Sequence, residues 1–490
     1  MNRHMIRYVL GNVLKIEAVF LLLSSLVALI YWEHEGVFYL AVAALCGWFG
    51  LWMTYHKPES YTFYLKEGCL TTALAWILLS AFGALPFFAT GEIPSYIDAL
   101  FETISGFTTT GASILPDVEA LSHVSLFWRS FTHWIGGMGV LVFLLAIVPM
   151  GGGGSMNLMR AESPGPSVGK LVPKIRATAG ILYKIYLVMT VLECVLLLIS
   201  GMHPFHAITL SFGTAGTGGF GVLSDSIASY TYLQKWIITV FMMLFGVNFN
   251  FYYLLLMKQF KKGFLMEEVR WYFIIIIAAI VSIWINIKDM YQSSFECLTD
   301  AAFQVGSIIT TTGYGTTDFN LWPSFSKNIL VILMFIGACA GSTGGGMKVS
   351  RGIIAFRTLK KELQSYIHPK SVKKIKYEDK PIEHDVLRSL NVFIITYLFL
   401  FWISVIFVSL DENDMLTNFT AVAATLNNIG PGLSMVGPTG NFAFFSVPAK
   451  LVLMIDMLAG RLELFPILIL FHPDLWKDFF AKRSGKESDF

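Results

Sequence analysis

The stretch Thr311-Thr312-Gly313-Tyr314-Gly315 follows a short amphipathic segment rich in small residues and lies between two long hydrophobic runs. Three further stretches have the same setting: Thr109-Thr110-Gly111-Ala112, Gly216-Thr217-Gly218-Gly219 and Asn428-Ile429-Gly430-Pro431-Gly432. A lone loop of this kind is more often a simple turn. Four of them in one chain predict a pore with fourfold pseudo-symmetry, in which four backbone segments point carbonyl oxygens at a dehydrated cation.

The composition of the 490 residues is typical of a polytopic membrane protein. The chain is 55% hydrophobic and 14% charged, with a mean hydropathy of +0.63, an apolar excess too large for a water-soluble surface. A net charge of +2 gives no reason to expect nucleic acid as a partner. The five cysteines lack metal-ligand or redox spacing, and the sequence contains no nucleophile elbow or zincin motif. An enzyme is therefore not expected.

Ten apolar runs have about the 20 residues that a helix needs to cross the hydrocarbon core. They lie near residues 13–31, 37–55, 67–88, 125–149, 179–201, 235–257, 271–288, 326–347, 387–410 and 446–471. After two introductory spans, the pattern of span, short helix, glycine loop and span occurs four times, as in a divergent internal repeat. The expected fold is an all-α polytopic membrane protein with four pseudo-symmetric helix–pore-loop–helix repeats around a central pore plus two N-terminal transmembrane helices.

This pattern divides the chain into six segments. They are two N-terminal transmembrane helices (1–62), the first pore repeat (63–150), the second pore repeat (151–258), the third pore repeat with a broken second helix (259–350), a basic cytoplasmic linker (351–385), and the fourth pore repeat with the C-terminal tail (386–490).

Basic residues predict the orientation. The segment from Lys348 to Lys380 carries ten Lys and Arg residues, so by the positive-inside rule it should be cytoplasmic. The four glycine loops then fall in outward-side connectors, and the even number of spans places both termini inside. The basic stretch from Lys360 to Lys380 could bind anionic membrane lipid, or it could equally dock a cytosolic subunit.

The glycine loops suit a monovalent cation. Non-helical backbone at membrane depth is tolerated only when it is buried in protein or lines a water-filled cavity. Its exposed carbonyls need a partner, and a cation can be that partner when they replace its hydration shell. A short helix that points its C-terminus at the pore centre adds partial negative charge there. No ring of acidic residues accompanies the loops in the sequence, which disfavours a filter for divalent ions.

The loops and two further motifs resemble those of the TrkH/TrkG group within the Trk/Ktr/HKT superfamily of potassium transporters. The motifs are Phe127-Trp128-Arg129 with His133-Trp134-Ile135-Gly136-Gly137-Met138-Gly139, and the linker Arg160-Ala161-Glu162-Ser163-Pro164-Gly165-Pro166. The resemblance implies that the first matching glycine of each loop marks potassium selectivity, here Gly111, Gly218, Gly313 and Gly430. It implies K⁺ ligation by backbone oxygens of Thr110, Gly111, Thr217, Gly218, Thr312, Gly313, Ile429 and Gly430.

Two features in the inner half of the predicted pore are candidates for a gate. The run Gly341-Ser342-Thr343-Gly344-Gly345-Gly346 should break the eighth span, because each glycine inside a helix costs about 1 kcal/mol relative to alanine. Arg461 is expected near the middle of the last span, where a charge costs roughly 2.5–3.5 kcal/mol or more. The alternative for the glycine run is a flexible end of the span. The alternative for Arg461 is a buried ion pair with another helix. The resemblance implies an intramembrane gating loop with an arginine beneath the filter.

The resemblance also implies a function and partners. They are potassium uptake across the bacterial cytoplasmic (inner) membrane, K⁺ as the transported ion, a homodimer, and a TrkA-type cytosolic nucleotide-binding regulatory ring. No stretch of the sequence matches a nucleotide site, so any nucleotide response would come from that ring. A secondary potassium symporter coupled to protons or sodium, with the same loops as a midplane site, stays open as an alternative.

Overall fold

The computed structural model describes residues 1–58, 64–139, 175–369, 374–378 and 380–480, and these parts of the chain are almost entirely helical. The only strands in the described ranges form a two-residue hairpin, with Lys376–Tyr377 antiparallel to Lys380–Pro381. The predicted linker Arg160–Pro166 and the second half of the predicted span 125–149 lie outside the described residues.

Two N-terminal helices, α1 (Arg3–Tyr31) and α2 (Gly36–Thr54), pack as a hairpin beside the four repeats. Each repeat then has an outer helix, a pore helix and an inner helix. The outer helices are α3 (Leu65–Thr90), α6 (Ile175–Ile199), α11 (Glu267–Ile287) and α15 (His384–Val408). The pore helices are α4 (Tyr96–Phe107), α7 (Pro204–Gly216), α12 (Ser294–Ile309) and α16 (Met415–Leu426). The inner helices are α5 (His123–Gly137), α8 (Tyr232–Phe245), α13 (Ser324–Ile336) and α17 (Val447–Arg461).

The remaining helices are short or peripheral. They are α9 (Phe249–Leu256), α10 (Phe260–Phe264), α14 (Val349–Ile367), α18 (Phe465–Leu468) and α19 (Pro473–Phe480). Single 3₁₀ turns lie at Lys288–Met290, Phe319–Leu321, Ser409–Asp411, Ser434–Val436 and Ile469–Phe471.

Local sequence explains where the inner helices begin. Ser122 and Ser446 each accept a hydrogen bond from a first-turn backbone N–H of α5 and α17. Thr231 forms a complete capping box with Gln234 at the start of α8. Pro323 immediately precedes α13, and a proline at this place prevents the helix from extending further towards the N-terminus. Ser122, Ser446 and Thr231 thereby satisfy N–H groups that a helix start otherwise leaves without partners.

The inner helices end about half-way along the predicted spans, which corrects the expectation of ten long helices. In the described ranges, six helices are long and apolar enough to cross a membrane, or seven if the pair α8 and α9 counts as one span bent by 91°. The predicted spans 235–257 and 446–471 are therefore not single helices: the first is bent after Phe245, and in the second α17 ends at Arg461. Asn248 caps a new helix after the bend, and Glu463 and Leu464 have positive φ (57° and 68°) just after α17.

The four repeats close into a ring. The inner helix of each repeat packs on the pore helix of the next: α5 on α7, α8 on α12, α13 on α16, and α17 on α4. The last contact joins the fourth repeat to the first, so the arrangement is cyclic. The predicted all-α fold with four pseudo-symmetric repeats is confirmed.

Candidate functional site

The four loops after the pore helices share one backbone conformation. In each loop a backbone N–H donates to the carbonyl five residues earlier, at 2.8 Å every time: Thr110 to Ser105, Gly218 to Gly213, Thr312 to Ser307, and Ile429 to Ala424. The residue before each donor has a left-handed φ of 54° to 60°: Thr109, Thr217, Thr311 and Asn428. The glycine after each donor has φ between 79° and 96°: Gly111, Gly219, Gly313 and Gly430.

This register corrects the predicted equivalence in the second loop. Gly219, and not Gly218, is the structural counterpart of Gly111, Gly313 and Gly430. Gly218 takes the place that threonine or isoleucine holds in the other loops. The reason is His133, whose ring atom Cγ would lie 2.2 Å from a Cβ on residue 218. The sequence prediction matched the pair Thr217-Gly218 to the Thr-Gly pairs of the first and third loops, and this alignment is one residue out of register.

Each of the four glycines lies against a backbone carbonyl of the next loop. A Cβ on Gly111 would lie 2.1 Å from the oxygen of Gly218, and one on Gly219 would lie 2.0 Å from that of Thr312. The same construction places Gly313 beside the oxygen of Ile429, at 2.1 Å, and Gly430 beside that of Thr110, at 2.8 Å. No side chain fits at these places. The carbonyl ring, defined as the backbone oxygens of Thr110, Gly218, Thr312 and Ile429, is therefore closed by contacts between all four repeats.

An open cavity lies on one side of this carbonyl ring. Gly111, Gly219, Gly313 and Gly430 all line it, together with residues that follow them in sequence. The residues that line this cavity are uncharged. An ion in this cavity would meet the backbone around the four glycines and the polar side chains of Ser113, Ser224, Ser226, Thr439 and Asn441.

A buried ion pair supports the first loop from behind. Arg129 Nε on α5 lies 2.6 Å from Glu102 Oε1 on α4, and both side chains are almost completely buried. The Glu102 carboxylate accepts hydrogen bonds from Ser113 Oγ and from the backbone N–H of Ile114, each at 3.0 Å. The Arg129 guanidinium lies 3.7 Å from the ring centre of Phe220, in the second loop. One ion pair therefore positions residues that follow two of the glycines.

Two polar side chains link neighbouring loops directly. His133 Nδ1 lies 2.7 Å from the carbonyl oxygen of Gly106, while its Nε2 accepts from the backbone N–H of Phe220 at 3.2 Å. This pattern requires a neutral imidazole with its proton on Nδ1. Asn428 Nδ2 donates to Thr110 Oγ1 at 2.9 Å and so joins the fourth loop to the first. Sequence reasoning did not find these roles, because the partners are 87 and 318 residues apart.

The glycine run Gly341–Gly346 forms an extended loop between α13 and α14, on the opposite side of the carbonyl ring from the cavity. The N–H of Gly345 donates to Thr311 Oγ1 at 2.6 Å, and that of Gly346 donates to the carbonyl of Asn427 at 3.1 Å. These acceptors precede the four loop glycines in sequence, whereas the cavity is lined by the glycines and the residues after them. The loop therefore covers the end of the ring that faces away from the cavity, and this end is called the inner end below.

Arg461 joins three elements beneath the ring. It is the last residue of α17 rather than a mid-span residue. Its Nη1 donates to the carbonyl of Thr343 at 2.8 Å, and its Nη2 donates to those of Gly136 and Gly137 at 2.5 and 2.7 Å. It thus ties the glycine loop of the third repeat to the C-terminal end of the first inner helix.

The neighbouring carboxylates have other partners. Glu463 forms an ion pair with Arg351 on α14, and Asp456 accepts from Ser404 at 2.7 Å. Glu268 anchors both ends of the glycine loop, because it accepts from the backbone N–H of Ala340 at 2.7 Å and from that of Ser350 at 3.1 Å. Glu268 could not be predicted from the sequence, because its partners Ala340 and Ser350 lie 72 and 82 residues away along the chain.

Comparison with known proteins identifies the family. The TrkH family model, described as a cation transport protein, matches residues 36–482. The chain belongs to the TrkH family. It is 36% identical over 474 residues to the Trk system potassium uptake protein TrkH of Salmonella typhimurium, which covers 94% of this chain and 96% of that protein. It is 31% identical over 487 residues to the Trk system potassium uptake protein TrkG of Escherichia coli, covering 96% and 98%.

A solved structure of the family supports the same fold. The crystal structure of the potassium transporter TrkH from Vibrio parahaemolyticus superimposes with a TM-score of 0.87 at 32% identity, and covers 97% of this chain and 100% of that chain. This TrkH-family protein is accordingly an integral inner-membrane protein.

Proposed function

We propose that this TrkH-family protein takes up potassium across the cytoplasmic membrane through a pore whose selectivity filter is the carbonyl ring. One observation carries the proposal. The four loops share one backbone conformation, and the glycine of each loop lies against a carbonyl oxygen of the next, so that the contacts close into a ring. The relatives named as potassium uptake proteins agree with it. The proposed ligands come from Thr110, Gly111, Thr217, Gly218, Thr312, Gly313, Ile429 and Gly430, with Gly219 added by the structural register.

The geometry favours a monovalent cation that loses its water. Four carbonyl dipoles can replace part of a hydration shell without carrying net charge. Each pore helix ends at a loop, so its C-terminal partial negative charge faces the same region. The uncharged lining of the cavity provides no carboxylate to hold a divalent ion there.

We propose that the segment Gly341–Gly346 and Arg461 form the closed gate. The loop covers the inner end of the carbonyl ring, and Arg461 holds the loop through the carbonyl of Thr343. A guanidinium at this depth also repels a permeating cation. Conduction then requires that the loop and Arg461 move together away from the ring.

The proposed setting includes a homodimer with one pore per chain, both termini in the cytoplasm, and a TrkA-type nucleotide-binding ring. The helix α14 continues from the glycine loop and carries Arg357, Lys360 and Lys361. A partner that binds this helix would act on the loop directly. Membrane lipid at the same basic residues is the competing contact.

The function is tested by cation flux into liposomes that contain the purified protein, with and without the ring subunit. Potassium, rubidium, sodium and lithium are compared under identical gradients. We expect potassium and rubidium to enter well ahead of sodium and lithium. Equal sodium and potassium flux would contradict the proposed filter, and uphill potassium flux driven by sodium or protons would favour a coupled symporter.

A further inference from the structure

The glycine loop does more than lie beneath the carbonyl ring, because it uses backbone donors on oxygens at the ring's inner end. The acceptors are Thr311 Oγ1 and the carbonyl of Asn427, which the N–H groups of Gly345 and Gly346 reach at 2.6 and 3.1 Å. The two acceptors belong to adjacent loops, the third and the fourth. A carbonyl and a hydroxyl are also oxygen ligands that a dehydrated monovalent cation accepts.

The close approach extends to a third oxygen. A Cβ on Gly344 would lie 2.8 Å from the carbonyl oxygen of Thr310, and one on Gly345 would lie 2.4 Å from that of Asn427. The loop backbone therefore fills the space directly beside these oxygens, and only glycine permits that contact. An ion and this loop cannot occupy the space together.

In the described parts of the chain, no such donor reaches the pseudo-symmetric position in the first loop. Thr109 corresponds to Thr311 in the shared register, with φ of 55° against 60°. Its Oγ1 is buried and has no hydrogen-bond partner among the described residues. A buried hydroxyl without a partner is costly, so an oxygen left in this state points to a ligand that the structure does not contain.

We propose that Thr109 Oγ1, Thr311 Oγ1 and the carbonyl of Asn427 belong to an inner site for a dehydrated monovalent cation, and that the glycine loop closes the pore by occupying this site with its own N–H groups. The loop and the permeating cation then compete for the same oxygens. Potassium on the loop side favours the open state, because it binds oxygens that are free only when the loop has withdrawn. This inference rests on the proposed potassium pore.

The test is single-channel recording in planar bilayers with the purified protein, at low and high potassium on the loop side and constant potassium opposite. N-methyl-D-glucamine, which is too large for the site, replaces potassium. We expect open probability of the wild type to rise with loop-side potassium. Thr311→Val keeps the β-branched shape but removes the acceptor, so open probability at low potassium should rise roughly 2- to 10-fold, as loss of one buried hydrogen bond implies, and its potassium dependence should weaken.

Thr72→Val is the matched control, because Thr72 is a buried threonine of α3 whose hydroxyl donates to the carbonyl of Gly68 in its own helix, at 2.9 Å. It should behave like the wild type. Open probability that does not depend on loop-side potassium, or a Thr311→Val variant with unchanged opening and unchanged potassium dependence, would overturn the competition while leaving the potassium pore intact. Absence of potassium current in every variant, the wild type included, would contradict the pore and this inference together.

Discussion

At the scale of single residues, the second loop shows how one side chain restricts which residue fits at a neighbouring position. The His133 ring occupies the space where a side chain at position 218 would lie, so the loop reads Thr-Gly-Gly where the first and third loops read Thr-Thr-Gly. The ring also accepts from the N–H of Phe220, which fixes the residue after Gly219. Gly219 is thereby held in the same left-handed conformation as its three counterparts.

Gly219→Ala tests this register. The new Cβ would lie 2.0 Å from the carbonyl oxygen of Thr312, in a backbone region with φ of 81° that L-residues avoid. Strain at such a position costs about 1–3 kcal/mol before the clash is counted, so potassium flux should fall roughly tenfold or more. Gly180→Ala, on the outer helix α6 where a Cβ meets nothing within 4 Å, should retain flux in the same liposome assay. Normal selectivity and flux in Gly219→Ala would show that the register is wrong.

The buried pair of Glu102 and Arg129 predicts a stability effect. Breaking a buried ion pair leaves one charge without compensation and typically costs about 3–5 kcal/mol. Glu102→Gln should therefore lower the melting temperature of the protein in detergent markedly. Lys477→Ala breaks an exposed pair with Asp474 on α19, for which an effect within about 1 kcal/mol is expected. Equal melting temperatures for Glu102→Gln and the wild type would argue that this pair does not support the loops.

At the scale of elements, hydropathy located the apolar runs but not the ends of the inner helices. The runs continue past Phe245 and Arg461 because α9 and α18 are apolar as well. What ends the helices is local: a cap at Asn248, and positive φ at Glu463 and Leu464 before Pro466. The break at Gly341–Gly346 could be predicted, since a run of glycines marks it in the sequence. The contacts of Arg461 could not, because its acceptors are backbone atoms more than 100 residues away.

Arg461→Ala tests the connection between α17, the first inner helix and the glycine loop. The change removes three hydrogen bonds to backbone carbonyls and a positive charge from beneath the ring. Potassium flux in the absence of the proposed nucleotide-binding partner should increase several-fold. Arg388→Ala, at an exposed arginine near the start of α15, is the control and should leave flux unchanged. If Arg461→Ala gave the same flux and the same response to the partner as the wild type, Arg461 would not be part of the gate.

The start of the fourth pore helix predicts a dependence on pH. Hydrogen bonds from Thr417 hold the pKa of Asp414, the N-cap of α16, below its ordinary value of 3.8. A lowered pKa in the folded state means that the charged cap stabilises the protein fully above that ordinary value. The stabilisation is lost as the pH falls through the lowered pKa.

Asp414→Ala should therefore reduce the unfolding free energy by about 1 kcal/mol at neutral pH. The difference from the wild type should stay constant down to about pH 4 and shrink below it, as thermal unfolding across pH would measure. A difference that grew on acidification would contradict the assigned role of the Asp414 carboxylate.

At the scale of the whole molecule, the sequence was sufficient for the fold class because four loops recur in the same setting. It could not show that the ring closes, since closure depends on α17 packing on α4 across most of the chain. It also could not give the register of the second loop, which requires the position of His133. The carbonyl ring is thus a property of the assembled repeats, and each loop supplies one oxygen against a glycine of its neighbour.

The central claim is that this ring binds a dehydrated potassium-like ion. The most direct measurement is a crystal structure of the protein grown with rubidium in place of potassium, with anomalous difference density collected at the rubidium edge. We expect a peak enclosed by the carbonyl oxygens of Thr110, Gly218, Thr312 and Ile429, and this peak should disappear when sodium replaces rubidium. A ring without a peak, with rubidium bound instead at half-buried carboxylates such as Glu296 and Asp318, would contradict this claim.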